Sequence, residues 1–205
     1  VEEGFVAITV DSLCGADIAP VVPALSKLRL TVFREWPYLY DGDAAYEADY
    51  LATFAAHPDS VVVAARDGAD LVGAATAAPL AGHTNEFVPL FKAYGYKPAR
   101  IFYCGESVLL PAYRGRGLGR AFFDHREAHA RALNARGHRF THSTFCGVIR
   151  EADDPRKPAD YRPLDPFWRK RGYAPVPGLI GTYDWREIGA SAETTKQMQF
   201  WIGVL

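Results

Sequence analysis

Apolar and polar positions along this chain fall into blocks whose period changes repeatedly. Phe5 to Val10 reads as an opening strand. From Ile18 to about Phe33, the apolar residues Ile18, Val21, Val22, Leu25, Leu28 and Val32 recur at helical spacing, and Pro20 suits a first turn. Arg34-Glu35-Trp36-Pro37-Tyr38-Leu39-Tyr40-Asp41-Gly42-Asp43 then interrupts the pattern as an aromatic loop carrying acids. A second helix is predicted from Ala44 to Ala55, with His57-Pro58-Asp59 as the break after it. Ser60 to Arg66 and Leu71 to Ala78 predict a hairpin across Asp67-Gly68-Ala69-Asp70.

Pro79 to Arg100 is less regular, with a short helix expected over Asn85 to Tyr94 and ended by Gly95. This insertion is expected beside a substrate pocket. Ile101 to Leu110 is almost wholly apolar and predicts a central strand. The next helix carries Leu118, Ala121, Phe122, His125, Ala128, His129, Ala132 and Leu133 on one face and stops at Arg136-Gly137. A strand over His138 to Phe145, a charged loop over Gly147 to Pro163 and a short helix near Asp165 to Gly172 follow. Two strands close the chain, near Gly178 to Trp185 and Lys196 to Leu205. No repeat, low-complexity tract or linker divides it, so residues 1–205 are expected to form one α/β domain.

Composition narrows the function classes. With 49% hydrophobic and 23% charged residues, the 205-residue chain suits a globular domain. A net charge of −1 gives no general attraction to nucleic acid or anionic membrane. Cys14, Cys104 and Cys146 are an odd set without paired spacing, which argues against a disulfide framework or zinc site. The longest uncharged apolar stretch, Leu71 to Ala81, is too short to span a bilayer, and Val1-Glu2-Glu3 starts no signal peptide. A cytoplasmic protein is expected.

The chemistry concentrates after the central strand, in Pro111-Ala112-Tyr113-Arg114-Gly115-Arg116-Gly117-Leu118-Gly119-Arg120. Three alternating glycines leave the backbone uncovered where a helix opens, so its N–H groups and dipole can converge on an anion. Arg114, Arg116 and Arg120 add positive charge. This is a phosphate site by its chemistry. It lacks the Lys-Ser or Lys-Thr of a P-loop and the G-x-G-x-x-G spacing of a dinucleotide turn. The turn does resemble the acyl-CoA loop of the GNAT superfamily of N-acetyltransferases, whose pattern is Gln or Arg, two residues, Gly, one residue, Gly or Ala. Arg114, Gly117 and Gly119 fill it, after the usual lead-in at Pro111, Tyr113, Arg114 and Gly115. Phe167-Trp168-Arg169-Lys170-Arg171-Gly172-Tyr173 resembles the family's second motif, Phe-Tyr-x-x-x-Gly-Phe.

The resemblance covers nearly the whole chain. It implies a mixed, mostly antiparallel sheet of about seven strands flanked by helices. It also implies acetyl-CoA as cosubstrate, with Val108 and Leu110 pairing their backbone with the pantetheine arm where the sheet splays. The turn of Arg114, Gly115, Arg116, Gly117, Leu118, Gly119 and Arg120 would hold the pyrophosphate, and an N–H near Leu109 would meet the oxyanion. Homodimers are common for the fold.

Amide formation from a thioester needs a neutral amine, so a base must take its proton. Glu106 is the candidate, an acid in an otherwise apolar strand where desolvation would raise its pKa. The alternative is a carboxylate tied to a neighbouring arginine or backbone amide. The family's tyrosine acid is replaced by Trp168, leaving Tyr161 or solvent to protonate the thiolate. Trp36, Tyr38, Tyr40 and Asp41, with Glu35 and Asp43, lie on the loop that the resemblance puts at the acceptor mouth, where rings and acids could cage a cationic amine. The alternative is plain packing. His125 and His129 lack the His-Glu-x-x-His order and lie on an apolar stripe, so they are read as core and no metal is expected. Cys146 is read as packed and inert. The expected activity is acetyl transfer to a primary amine of a small molecule. The rivals are a catalytically silent CoA-binding regulator and transfer to a protein amine.

Overall fold

The computed structural model describes residues 7–205, so Phe5 and Val6 of the expected opening strand lie outside the described residues. Among the described residues, β1 (Thr9–Leu13), β2 (Val61–Asp67), β3 (Asp70–Pro79), β4 (Ile101–Leu109), β5 (His142–Val148), β6 (Ala174–Arg186) and β7 (Glu193–Val204) form one sheet. Their order is β1-β2-β3-β4-β5-β7-β6. All neighbours are antiparallel except β4 and β5. The mixed seven-stranded sheet expected from the resemblance is present.

The helices are α1 (Val22–Phe33), α2 (Ala44–Ala56), the irregular turn α3 (Leu80–His83), α4 (Val88–Ala93), α5 (Leu118–Ala135) and α6 (Asp165–Lys170). The first is shorter than the periodicity suggested. Prolines at 20 and 23 leave Ala19–Val21 as a 3-10 turn, and the α-helix starts only at Val22. Asp43 starts α2 by accepting the Ala45 and Tyr46 N–H groups at 2.9 Å each. The last three strands begin three or four residues later or earlier than expected, because pairing rather than local pattern sets their ends.

Two apolar layers hold the helices to the sheet. One face carries Val61, Val63, Phe102 and Cys104 against Leu118, Phe122 and Leu133 of α5. The other carries Val62, Ala74 and Val108 against Leu25, Leu28 and Leu51 of α1 and α2. The buried side of α5 differs from the one read in sequence. Leu118, Phe122, Phe123, Arg126, Ala130 and Leu133 face inward, while Ala128 and Ala132 are exposed. A buried arginine caused the misreading, since periodicity counts Arg126 as polar surface.

Candidate active site

The sheet opens between β4 and β5. Strands β4 and β5 pair only from Ile101 with His142 to Tyr103 with Thr144. Beyond that point β4 stays with β3 as far as Gly73 opposite Leu109, and β5 stays with β7 as far as Val148 opposite Met198. The residues of β4 after Tyr103 therefore present an unpaired edge toward β5.

The backbone direction at that edge corrects one expectation. The Leu110 N–H donates to the Val72 carbonyl at 3.0 Å, so Leu110 faces β3. Antiparallel pairs alternate, and Val108 opposite Ala74 turns the same way. Val108 and Leu110 are thus engaged with β3 rather than with the opening. Ser107 and Leu109 turn their backbone outward, and the Leu109 carbonyl accepts Arg114 Nε and Nη2, each at 3.3 Å.

The glycine turn lies directly beyond. Gly115 and Gly117 have φ of 77° and 83°, in the left-handed region, and an added Cβ at either would meet nothing within 4 Å. Backbone conformation, not crowding, requires glycine here. Gly117 caps α5 without a side-chain partner, and its carbonyl accepts the Arg120 and Ala121 N–H groups. The N–H groups of Gly115 to Gly119 donate to no other group among the described residues. This uncovered row at a helix start fits a pyrophosphate. The arginines are arranged differently from one another. Arg114 turns back to Glu35 at 2.8 Å, Arg116 lies over the Tyr113 ring at 5.2 Å, and Arg120 is exposed.

Glu106 owes its direction to a bulge. Along β4, Phe102 and Cys104 face α5 while Ile101 and Tyr103 face the other side. Simple alternation would send Glu106 toward α5. The register with β3 shifts between Ala75 and Ala77, which sets Gly105 and Glu106 opposite Thr76. That extra residue turns Glu106, and Val108 after it, toward α1 and α2. Gly105 has to be glycine because an added Cβ would sit 2.6 Å from Thr76 Oγ1 and 3.0 Å from Phe54. The buried Arg126 of α5 supports the bulge from beneath, donating to the carbonyls of Glu106 (3.1 Å) and Thr76 (3.4 Å).

Glu106 is not the isolated carboxylate that an apolar strand suggested. Its Oε2 accepts Arg29 Nη1 at 2.7 Å and the Tyr50 hydroxyl at 3.2 Å, while Oε1 is buried without a partner. Arg29 also holds Glu47 of α2 through Nε, and its guanidinium lies 4.4 Å from the Tyr50 ring centre. The three charged side chains are all at least nine-tenths buried. Two carboxylates thus share one guanidinium.

The same side of the sheet carries a group of phenols. Tyr103, at the point where β4 and β5 part, has its hydroxyl 3.3 Å from that of Tyr183 and 3.8 Å from Cys146 Sγ. Burial, reinforced by neighbouring groups including Glu106, raises the pKa of Tyr38, Tyr50 and Tyr183. Burial pushes the Cys146 thiol up to about 12, so it stays an inert thiol. Arg29, Glu47, Tyr50, Tyr103 and Tyr183 escaped the sequence reading. The available signal was a charged residue inside an apolar stripe, as with Glu47 four and seven residues before Leu51 and Phe54.

The aromatic loop after α1 reaches this region, but its acids are committed elsewhere. Asp41 pairs with Arg34 at 3.0 Å and Arg186 at 3.2 Å, Glu35 pairs with Arg114, and Asp43 caps α2. Of the acids expected to cage a cation, Asp41 and Glu35 are neutralised by arginines, and Asp43 is spent on the helix cap. Tyr38 packs between Phe33 and Trp185, and its carbonyl accepts Trp185 Nε1 and Arg150 Nη2. Burial, with the Glu47 carboxylate beside it, raises the Tyr40 pKa. Trp36 meets Tyr161 edge-on with ring centres 6.1 Å apart, so these two sequence candidates are brought together. Burial and Asp165 raise the Tyr161 pKa. Trp168 packs on Phe145 and Trp201, 4.9 and 5.1 Å away. His129 bonds to the Asp59 carbonyl and His125 to Ser12, as ordinary structural histidines do. Among the described residues no three His, Cys, Asp or Glu side chains are grouped to hold a metal. No described helix is long and apolar enough to cross a membrane.

The model of the Acetyltransferase (GNAT) family matches residues 26–144, from α1 into β5. The chain belongs to the GNAT acetyltransferase family. Solved structures agree on the fold at low identity. An IAA acetyltransferase from Bacillus cereus is 11% identical, with a TM-score of 0.55 over 97% of this chain and 100% of that one. The yncA structure from Salmonella typhimurium, with its cofactor acetyl-CoA, is 10% identical, with a TM-score of 0.59 over 97% and 94%. A ribosomal-protein-alanine N-acetyltransferase from Brucella melitensis is 14% identical, with a TM-score of 0.58 over 95% and 99%. A comparison with curated proteins finds no match to this chain. As a family member the chain is an N-acetyltransferase.

Proposed function

We propose that this GNAT protein transfers the acetyl group of acetyl-CoA to a primary amine of a small molecule. The observation that carries this reading is the parting of β4 from β5 after Tyr103 and Thr144. It leaves one open edge with the uncovered N–H row of Gly115–Gly119 at its end and the Glu106 carboxylate on its face. The turn would hold the pyrophosphate through backbone N–H groups, with Arg120 adding charge. Ser107 and Leu109 would hold the pantetheine arm, and the Leu109 N–H would stabilise negative charge on the thioester oxygen. Bound acetyl-CoA supplies the thioester that the amine attacks. Glu106 would take the amine's proton, directly or through water. Tyr161, kept protonated by its raised pKa, would return a proton on the leaving side. Trp36, Tyr38, Tyr40 and Asp41 would shape the acceptor wall from one loop. The acceptor's positive charge would be met at Glu106, since Asp41 and Glu35 are already paired and Asp43 caps α2.

The test is a mass-spectrometric screen of small amines and amine-terminated peptides with acetyl-CoA. Acetylated small amines support the proposal. Exclusive acetylation of peptides moves the acceptor to protein, the reaction named for the Brucella neighbour. A second reading, a CoA-binding regulator without turnover, is favoured by Trp168 standing packed in the motif position where the family's tyrosine acid is usual. Tight CoA binding with no product from any amine would establish it.

A further inference from the structure

The buried charges around Glu106 do not balance. Arg29 contributes one positive charge, while Glu47 and Glu106 contribute two negative ones. Among the described residues the Glu106 charge also acts on three phenols: Tyr50 from α2, Tyr38 from the loop after α1 and Tyr183 from β6. Burial, the leading cause, raises the pKa of each, so all three are neutral near pH 7. Arg126 touches only the carbonyl of Glu106. The group therefore carries one excess negative charge in a place with little water to screen it.

The geometry shows how the guanidinium is divided. Glu47 takes Nε, and Glu106 receives only Nη1, through one oxygen. A guanidinium facing one carboxylate alone can close on both of its oxygens. Here one oxygen of each carboxylate, Glu106 Oε1 and Glu47 Oε1, is left without a partner.

We propose that Glu47 is a positioning residue for the transfer, holding the Nε edge of Arg29 so that Oε1 of Glu106 stays available to accept the acceptor's proton. In that step an N–H bond of the ammonium breaks and an O–H bond forms on Glu106. The charge of Glu47, Arg29 and Glu106 together goes from −1 to zero, and the amine is left neutral with its lone pair free. Without the Glu47 charge the same step would take a neutral pair to a buried positive charge, which low polarity disfavours. Glu47 thus makes proton uptake at Glu106 end in electrical balance, from a position that touches neither substrate. The role in catalysis rests on the acetyl-transfer reading. The sharing of Arg29 does not.

Carboxyl carbon NMR on glutamate-labelled protein tests the sharing without any acceptor. Glu47→Gln keeps the shape of the side chain and leaves Arg29 to Glu106, so the Glu106 titration midpoint is expected to move to lower pH. A midpoint that stays in place or rises overturns the proposal. If Glu47→Gln does not fold, Glu106→Gln gives the reciprocal measurement, with Glu47 expected to titrate at lower pH than in the parent and an unmoved Glu47 overturning it. With an acceptor in hand, the acidic limb of kcat/KM should move in Glu47→Gln in the same direction as the NMR midpoint. An NMR shift with no turnover in the parent protein would remove the acetyl-transfer reading and leave the charge sharing intact.

Discussion

Arg29 Nη1 lies 2.7 Å from Glu106 Oε2, joining the first long helix to the central strand through a buried ion pair. The two residues are 77 positions apart, and neither has meaning for the site without the other. Arg29 is itself divided between two carboxylates, and its pKa is raised: burial opposes its charge, but Glu106, Tyr50 and Glu47 together outweigh that.

This pairing makes Glu106→Gln a clean probe. Arg29 keeps Glu47 in the variant, so the fold should survive. Turnover should fall by about 10²–10⁴, the usual range for lost acid–base catalysis, with CoA affinity little changed. Steady-state kinetics on an identified acceptor, with calorimetry for CoA, check both halves. Parent-like turnover across pH would return Glu106 to a structural role.

Gly117→Asp should abolish CoA binding. Its φ of 83° costs a non-glycine residue about 1–2 kcal/mol, yet an added Cβ meets nothing within 4 Å. An acid at a helix start also recovers some of that cost. Isothermal titration should therefore show lost affinity in a protein whose unfolding midpoint has barely moved. Unchanged affinity would put the pyrophosphate elsewhere.

Arg126→Ala should lower stability by about 2–4 kcal/mol, since two carbonyls at the bulge lose a charged donor and a buried space opens. Denaturant unfolding measures this. Turnover should drop as well, because the bulge aims Glu106. A variant with full stability would mean that water replaces the guanidinium there.

Asp41→Asn tests the corrected view of the acceptor loop. Its partners Arg34 and Arg186 are half-exposed, so the loss should be under about 1 kcal/mol. The acceptor's KM should hardly change, because this carboxylate is already paired. A several-fold rise in KM would show that the acceptor displaces one of those arginines.

The pH dependence of stability has a definite sign at His83. Burial, followed by the neighbouring His57, lowers its pKa from 6.5 to about 4. The unfolded chain therefore binds a proton that the folded chain refuses between those values. The contribution of His83 is present above pH 6.5 and is lost as pH falls toward 4. His83→Gln should flatten the decline of the melting temperature over that interval, and an equally steep decline would assign it to other groups.

Local pattern carried much of this architecture. Helical periodicity marked α1 and α5, and Asp67 to Asp70 marked the hairpin of β2 and β3, because each depends on residues near in sequence. Alternating glycines before an amphipathic helix likewise marked the uncovered turn at the start of α5, since backbone freedom and a helix start are local properties. What lay beyond local pattern was direction and pairing. The bulge opposite Thr76 decides which face Glu106 takes, and a register shift belongs to two strands at once. Arg29, Glu47 and Arg126 read as solvated charges until distant partners bury them. Asp41 and Glu35 read as free acids until distant arginines neutralise them. The sequence by itself determined most of the elements, the glycine turn at the start of α5 and the family. Tertiary structure alone decided which charges meet, because electrostatics inside a protein depends on distance and burial, and neither runs along the chain.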